Sequence, residues 1–457
     1  MKYYFCGIGG VGMRSIAEFL KFKGNEVFGS DRAFDLKDNE QTKKRLSEKG
    51  IILFPQDGSG VNKDIDCLVV STAVEDTIPD VQKALSLNIP IKKRAEILAG
   101  ILHSHKGIAI GGTSGKTTIT AMSGHILYEN AFDPVVINGG TFVNEYNGCV
   151  NSNVILGNGD YCVIESDESD GTIELYHPEI AVVSNVSLDH KPIEDLMKLF
   201  SDFVKRANTG AVINLDCPYA KTLSHLHPNT ITFSCDKNKN ATLTASDIQK
   251  TREGVSFLIN GVKVLMSLQG LHNVQNAMAA IGACMLAGVS LENAAKALSS
   301  FKGTKRRLEK IGCFQDITVY DDYAHNPEKI AATLRTLKSE KGRLFAVFQP
   351  HGFAPLRLMK DELIAAFLNN TDSSDFLIFP EVFYQGGTVV KDISSKNIAD
   401  ALTEQGRRAF FFEKRQEIPA FIAENIKSSD TVVVMGARDN TLTNLAKEIL
   451  QKVKEKQ

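Results

Sequence analysis

The sequence predicts an α/β protein of three domains, and three observations carry that prediction. Its 457 residues exceed what one hydrophobic core usually organises. Two glycine-rich loops, "GIGGVG" from Gly7 and "GGTSGKTT" from Gly111, each stand between an apolar run and a helical pattern. A third series of apolar strands, separated by helix-length segments, fills the C-terminal part.

The first region opens on the short apolar strand "KYYFC". Met13, Ile16, Ala17 and Leu20 then follow the i, i+3, i+4, i+7 spacing of a buried helix face. Gly24 stops that helix and "EVFGSD" supplies a second strand, completing a doubly wound strand-helix-strand unit. Further strands fit "CLVVST" and "PIKKR", with a helix at "AEILAGIL" leading out, so the first domain is expected over residues 1–105. Gly7, Gly9 and Gly12 match G-x-G-x-x-G, whose backbone amides can hold a diphosphate at a helix N-terminus. A bare tight turn explains the same glycines. Asp31 ends the second strand, where an acidic residue would meet a ribose, and this keeps a nicotinamide dehydrogenase among the candidates.

The second region, residues 106–303, begins at "GIAIGG". Strands are expected at "YCVIES", "IAVVSNVS" and "AVINLD", antiparallel ribbons at "ATLTASDIQ", "GVSFLING" and "VKVLMSLQ", and a helix at "HNVQNAMAAIGACMLAG". Gly112, Thr113, Ser114, Gly115, Lys116, Thr117 and Thr118 form a phosphate-binding loop, with Ile110 where a leading glycine is usual. Such a loop offers close-approaching amides, an ammonium for phosphates and a hydroxyl for Mg²⁺. The metal also needs a carboxylate, and "VIESDESDG" ends a strand with Glu165, Asp167, Glu168 and Asp170. A solvated acidic loop is the plainer source of that cluster, but the strand before it brings Glu165 to a carboxyl end. "SNVSLDH" ends the next strand in the same way with Asp189 and His190.

Gly303, Lys305, Arg306 and Arg307 make a basic hinge into the last region, residues 304–457. Its strands fit "ITVYDDYA", "RLFAVFQP", "DFLIFPEV", "RAFFF" and "TVVVMGA", a pattern for a parallel α/β domain.

Composition narrows the function. The apolar share is 43%, the charged share 23% and the net charge -2, which leaves no electrostatic footprint for nucleic acid or an acidic membrane. The eight cysteines form no C-x-x-C pair, as expected of thiols in a reducing compartment. No secretory h-region or membrane-spanning run is read, so a cytoplasmic protein is expected. The H-x-H pairs at His103, His105, His225 and His227 could bind metal but fit solvated loops better.

Taken in order, "GIGGVGM", "GGTSGKTTITAM", "ESDESD", "NVSLDH", "LHNVQNAMAAI", "GTKRRLE", "DDYAHNP", "FQPH" and "MGARDNTL" resemble the ATP-dependent Mur ligases of peptidoglycan synthesis over nearly the whole chain. The motifs are most similar to those of members that add L-alanine to UDP-N-acetylmuramate. The resemblance implies a Rossmann-like UDP-binding N-terminal domain, a central P-loop ATPase-like domain and a Rossmann-like C-terminal domain. It gives the two glycine loops separate tasks, the first holding the diphosphate of the UDP-sugar and the second ATP. A dehydrogenase would leave the second loop without a task.

The resemblance further implies that the muramate carboxylate takes the γ-phosphoryl group of ATP and that an amine displaces phosphate from the acyl phosphate. Lys116 matches the residue on the transferring phosphoryl group. Thr117, Glu165 and His190 match the Mg²⁺ site, with Glu168 the alternative carboxylate. Asn273 and Asn276 match the pair at the nucleotide base and ribose, while Arg307 and Asp322 match residues brought to ATP on domain closure. Gly7, Gly9, Gly10, Gly12 and Asp31 fall on the sugar-nucleotide, and Tyr323, His325 and His351 on the amino-acid site.

The resemblance breaks in two places. "QPHGFAPLR" has Gly352 and Pro355 where the alanine-adding members commonly carry arginines, keeping only Arg357, and "MGARDNTL" carries an Arg438-Asp439 pair that they lack. The carboxylate of the incoming substrate must therefore be met differently. Joining a preformed murein tripeptide in recycling is the alternative reaction, and a non-catalytic nucleotide-sugar-binding relative the third. Expected partners are UDP-N-acetylmuramate and a small amino acid or murein peptide, in a monomer or homodimer.

Overall fold

The structure is a computed structural model and describes residues 1–37, 39–72, 74–168, 171–187, 191–251, 254–338, 342–384 and 390–456. Its strands form three sheets, one in each of the three α/β regions that the sequence predicts. The chain divides into two compact units, one of residues 1–267 with 273–303 and one of residues 268–272 with 304–457.

The first unit carries two of the sheets. Strands Ile52–Phe54, Glu26–Ser30, Lys2–Cys6, Cys67–Val70 and Ile91–Lys93 lie in that spatial order, all parallel. The order reverses beside Lys2–Cys6, which sets the first glycine loop at the switch point where such sheets bind ligands. Helix Arg94–His103 then runs into strand Lys106–Gly111 with little slack. A Cβ on Gly107 would collide with Leu102, and the Lys106 amide donates to the Asp160 carbonyl at 2.7 Å. Phe5, Ile16, Leu98, Leu102, Ile164 and Phe203 belong to one buried cluster, so the two sheets share a core.

In the second sheet, strand Lys106–Gly111 lies between Tyr161–Glu165 and Ile180–Val183. The far edge is the antiparallel ribbon expected from the period-two pattern, with Leu243–Lys250 against Val255–Ile259 and that strand against Val262–Met266. Asn260 and Gly261, with φ of 48° and 88°, make the two-residue turn that suits such a hairpin. Gly210–Asn214, expected at "AVINLD", lies between Ile180–Val183 and Thr230–Ser234; Thr230–Ser234, Val135–Ile137 and Val154–Ile155 are additions to the sequence reading.

The second unit holds six strands in the order Glu309–Phe314, Ile317–Asp322, Thr431–Met435, Leu344–Phe348, Phe376–Pro380 and Arg408–Phe412. The purely parallel expectation needs one correction here. Glu309–Phe314 pairs antiparallel at the edge, and its mixed residues around Gly312 carry no parallel-strand signature. Alternate residues of the central strands bury on opposite faces. Ala346, Phe348, Val433 and Met435 enter one core, and Phe345, Val347, Val432 and Val434 the other.

Asp430 stitches two central strands together at their start. Its carboxylate accepts from the Arg343 amide at 2.8 Å, the Arg343 guanidinium at 2.6 Å and the Lys427 amide at 2.8 Å, while only 2% exposed. Removing one partner of such a pair leaves a buried guanidinium without its anion. Asp430→Ala is expected to lower unfolding free energy by about 3–5 kcal/mol, measured by urea denaturation. A loss below about 1 kcal/mol would show the pair to be dispensable.

Candidate active site

The phosphate-binding loop leaves the carboxyl end of strand Lys106–Gly111, where Ile110 is in register with Glu165 and Gly111 with Val183. Its backbone is set by two glycines. Gly112 and Gly115 have φ of 125° and 88°, and a Cβ would strike Ser184 Oγ at the first and lie 2.5 Å from Asn276 Oδ1 at the second. The neighbouring strand end braces the loop. Asn185 Oδ1 accepts from the Ser114 amide at 2.9 Å, Ser184 Oγ donates to the Ser114 carbonyl at 2.8 Å, and Thr113 Oγ1 accepts from the Ser187 amide at 3.0 Å.

Lys116 opens helix Lys116–Glu129. Its ammonium is 2.7 Å from Glu168 Oε2 and 2.8 Å from the Gly112 carbonyl. Next to it the Thr117 hydroxyl donates to Glu165 Oε2 at 3.1 Å, while Glu165 Oε1 accepts from the Gly139 amide at 2.5 Å. The two carboxylates thus separate by partner, Glu165 to the hydroxyl and Glu168 to the ammonium. Asn276 lies against Gly115 and donates to Asn273 Oδ1 at 3.1 Å. The buried Ser114 Oγ has no partner among the described residues, and Thr118 is buried beside it in sequence. Asp170, Asp189 and His190 lie outside the described residues.

These residues fit a nucleotide triphosphate with Mg²⁺. The cradle admits backbone but no Cβ, it holds an ammonium with a removable anion, and it retains an orphaned hydroxyl. Among the described residues no group of three or more His, Cys, Asp or Glu could hold a metal, and Mg²⁺ on a phosphate loop needs few protein ligands. The H-x-H histidines supply none: His103 Nε2 accepts from the His177 amide at 3.1 Å, and His227 Nδ1 from that of Asn229.

The first glycine loop is pinned by Asp31. Gly9 donates to Asp31 Oδ2 at 2.8 Å, and Oδ1 caps the following helix by accepting from Ala33 at 2.9 Å. Both oxygens of the expected ribose ligand are thus spent on backbone. Gly7 has φ of 84°, and Gly10 precedes helix Val11–Phe22, leaving that N-terminus to the loop. A Cβ on Gly12 would lie 3.2 Å from Arg94 Nη1, so the Arg94 guanidinium packs against this end of the loop. Nothing in "PIKKR" marked it, because its role comes from sheet order.

In the second unit Tyr323, His325 and His351 come together. Ring centroids are 5.5 Å apart for Tyr323 with His325 and 5.5 Å for His325 with His351. Arg307 stacks over Tyr323 at 4.9 Å. Asp322 is held inside, accepting from the Leu308 amide at 3.1 Å and the Thr333 hydroxyl, and burial pushes its carboxyl up. Burial, then Lys329, pulls the His325 imidazole down to about 4. Burial, then Arg438, lowers that of His351. Arg357 turns to Asp392, and Gly352 sits at φ 77°.

A glycine-cradled P-loop with its hydroxyl and carboxylate, next to a second nucleotide-type loop, defines a nucleotide-dependent enzyme. The comparisons agree in detail. The Mur ligase catalytic, middle and glutamate ligase domains match residues 2–106, 110–284 and 306–438. A UDP-N-acetylmuramate--L-alanine ligase of Sulfurihydrogenibium sp. is 34% identical, covering 100% of this chain and 98% of that one. Its namesake from Desulforamulus reducens is 33% identical over 100% and 98%. The UDP-N-acetylmuramate-alanine ligase of Thermotoga maritima superposes with a TM-score of 0.80 at 27% identity, covering 100% of both chains. A murein peptide ligase of Psychrobacter arcticus shares the fold, with a TM-score of 0.67 at 23% identity over 99% and 98%. The chain belongs to the Mur ligase family.

The site generates two expectations. Gly115→Ala forces a Cβ onto Asn276 and strains φ, so nucleotide affinity should fall at least about tenfold in a binding titration. Unchanged affinity would show that the loop yields. For His325, the unfolded chain protonates near pH 6.5 and the folded chain only near 4. The unfolded state therefore binds more protons between those values, and stability falls as pH drops through that window. His325→Gln should flatten the decline of Tm from pH 6.5 to 4.5; an unaltered slope would rule the ring out as its source.

Proposed function

We propose that this enzyme joins L-alanine to UDP-N-acetylmuramate, with ATP cleaved to ADP and phosphate. The observation that carries the reading is the Lys116–Glu168 and Thr117–Glu165 pairing on a loop kept open by Gly112 and Gly115. Full-length similarity to ligases of that name supports the choice of substrates.

In this reading the first loop, with Gly7, Gly9, Gly10, Gly12 and Arg94, takes the diphosphate of the UDP-sugar at a helix N-terminus. The second takes the triphosphate. Lys116 exchanges Glu168 for phosphate oxygens, and Asn273 and Asn276 face the nucleotide. Thr117 and Glu165 would hold Mg²⁺, which when bound would neutralise charge on the phosphates. The sugar's carboxylate oxygen bonds to the γ-phosphorus as ADP leaves. The neutral amine then attacks the acyl carbon, expelling phosphate and losing a proton.

Tyr323, His325 and His351 line the amino-acid position, and Arg307 and Asp322 remain the residues expected to serve ATP. His190 remains the expected third member of the metal site. Domains of residues 1–105, 106–303 and 304–457 remain the proposed division, with the first two packed in one unit. A cytoplasmic location is part of this reading. Among the described residues no helix is long and apolar enough to cross a membrane.

Tripeptide ligation is the second reading, favoured by Gly352 and Pro355 in place of bulkier cations. Phosphate release with ATP, Mg²⁺ and UDP-N-acetylmuramate decides between them. Turnover is expected with L-alanine above L-serine, glycine and the tripeptide. Turnover with the tripeptide alone would overturn the proposal, and none with any donor would make the chain a binding protein.

Lys116→Ala should reduce kcat at least about 100-fold. Glu165→Gln should raise the Mg²⁺ concentration for half-maximal rate, and Glu168→Gln should not. The reverse result would exchange the two carboxylates' roles.

A further inference from the structure

An α-amino acid brings a carboxylate into the second unit, and a buried carboxylate needs a cation or several amides. The rings already placed there cannot supply one, since His325 and His351 are held neutral at pH 7 by burial and nearby cations. Most guanidinium groups of this unit are engaged. Arg306 bonds to the Gly436 carbonyl at 2.7 Å and lies 3.4 Å from Asp321. Arg343 pairs with Asp430 and Arg357 with Asp392. Arg415 pairs with Asp439 at 2.5 Å and Thr441 at 2.7 Å. Arg307 covers the Tyr323 ring.

Arg438 differs from all of these. Strand Thr431–Met435 lies between Ile317–Asp322 and Leu344–Phe348, so its carboxyl end opens between the Tyr323-His325 loop and the His351 loop. Met435 is in register with Asp322 on one side and Phe348 on the other. The turn is fixed by Gly436 donating to the Asp322 carbonyl at 3.2 Å and by Gln349 donating to the Met435 carbonyl at 3.0 Å. Arg438 follows at φ 63°, exposed, with no hydrogen-bond or ion-pair partner among the described residues. The acid beside it in sequence is no counterion, because Asp439 is 2% exposed and given over to Arg415 and Thr441. The fold thus spends an acidic side chain and a strained turn to present one cation without a carboxylate partner among the described residues, close enough to His351 to lower its imidazole's pKa.

We propose that Arg438 receives the α-carboxylate of the incoming amine donor and so sets the enzyme's demand for an acid rather than an amide. Its planar fork matches a carboxylate in two parallel bonds, which a lysine cannot reproduce. This rests on the amide-ligase reading above, and the experiment separates the two. Initial rates are measured with L-alanine and with L-alaninamide for the wild type, Arg438→Asn and Arg438→Lys. Asparagine tolerates the left-handed backbone while removing the charge.

Wild-type turnover of L-alanine tests the ligase reading alone, and its absence with every donor ends both claims. Given turnover, Arg438→Asn should raise KM for L-alanine about 10- to 100-fold, leave KM for ATP unchanged and abolish the preference for acid over amide. Arg438→Lys should recover part of that preference, and it carries the test should the asparagine variant fail to fold. A KM within twofold of wild type, or equal loss of L-alanine and L-alaninamide, would overturn the proposal. If only the tripeptide turns over, alanine specificity falls and the same comparison on the tripeptide's KM judges Arg438.

Discussion

A buried ammonium requires an anion, and the P-loop is arranged around that requirement. Lys116 is 16% exposed and meets Glu168 at 2.7 Å, so the positive charge that phosphate would need is already desolvated and compensated. Phosphate oxygens can replace a carboxylate at little further cost, because the desolvation has been met in folding. The same logic applies one residue on, where Thr117 and Glu165 hold each other in the positions two ligands of one ion would take. Both arrangements rest on Gly112 and Gly115, since any side chain there would fill the cradle or displace Asn276.

Parallel sheets explain why these groups converge. Their loops emerge together at the carboxyl ends of neighbouring strands. In the first unit this gathers Gly112, Glu165 and Asn185 from three adjacent strands; in the second it gathers Asp322, Met435 and Phe348, with the residues that follow them. Chemistry is therefore carried by strand order more than by sequence distance.

That distinction decides what the sequence made legible. The positions of the two glycine loops, Lys116, Thr117 and Glu165 at strand and helix ends were readable, because a local motif fixes the backbone. The division of labour between Glu165 and Glu168 was not, since only two residues separate them in sequence and packing alone assigns their partners. Asp31 was readable as a strand-end acid, but its bond to Gly9 depends on how the turn closes. Arg94 and the freedom of Arg438 were invisible, as the first needs the order of five strands and the second needs Arg415 to claim Asp439. The antiparallel edge Glu309–Phe314 was missed because an exposed edge strand needs no continuous apolar run.

The proposed function requires the two glycine loops to hold two different nucleotides at once, and equilibrium binding tests this most directly. Titration calorimetry with a non-hydrolysable ATP analogue and with UDP-N-acetylmuramate, each alone and in the presence of the other, reads the stoichiometries. The account predicts one site for each, with neither displacing the other. Mutual competition for a single site, or no binding of the UDP-sugar, would contradict it.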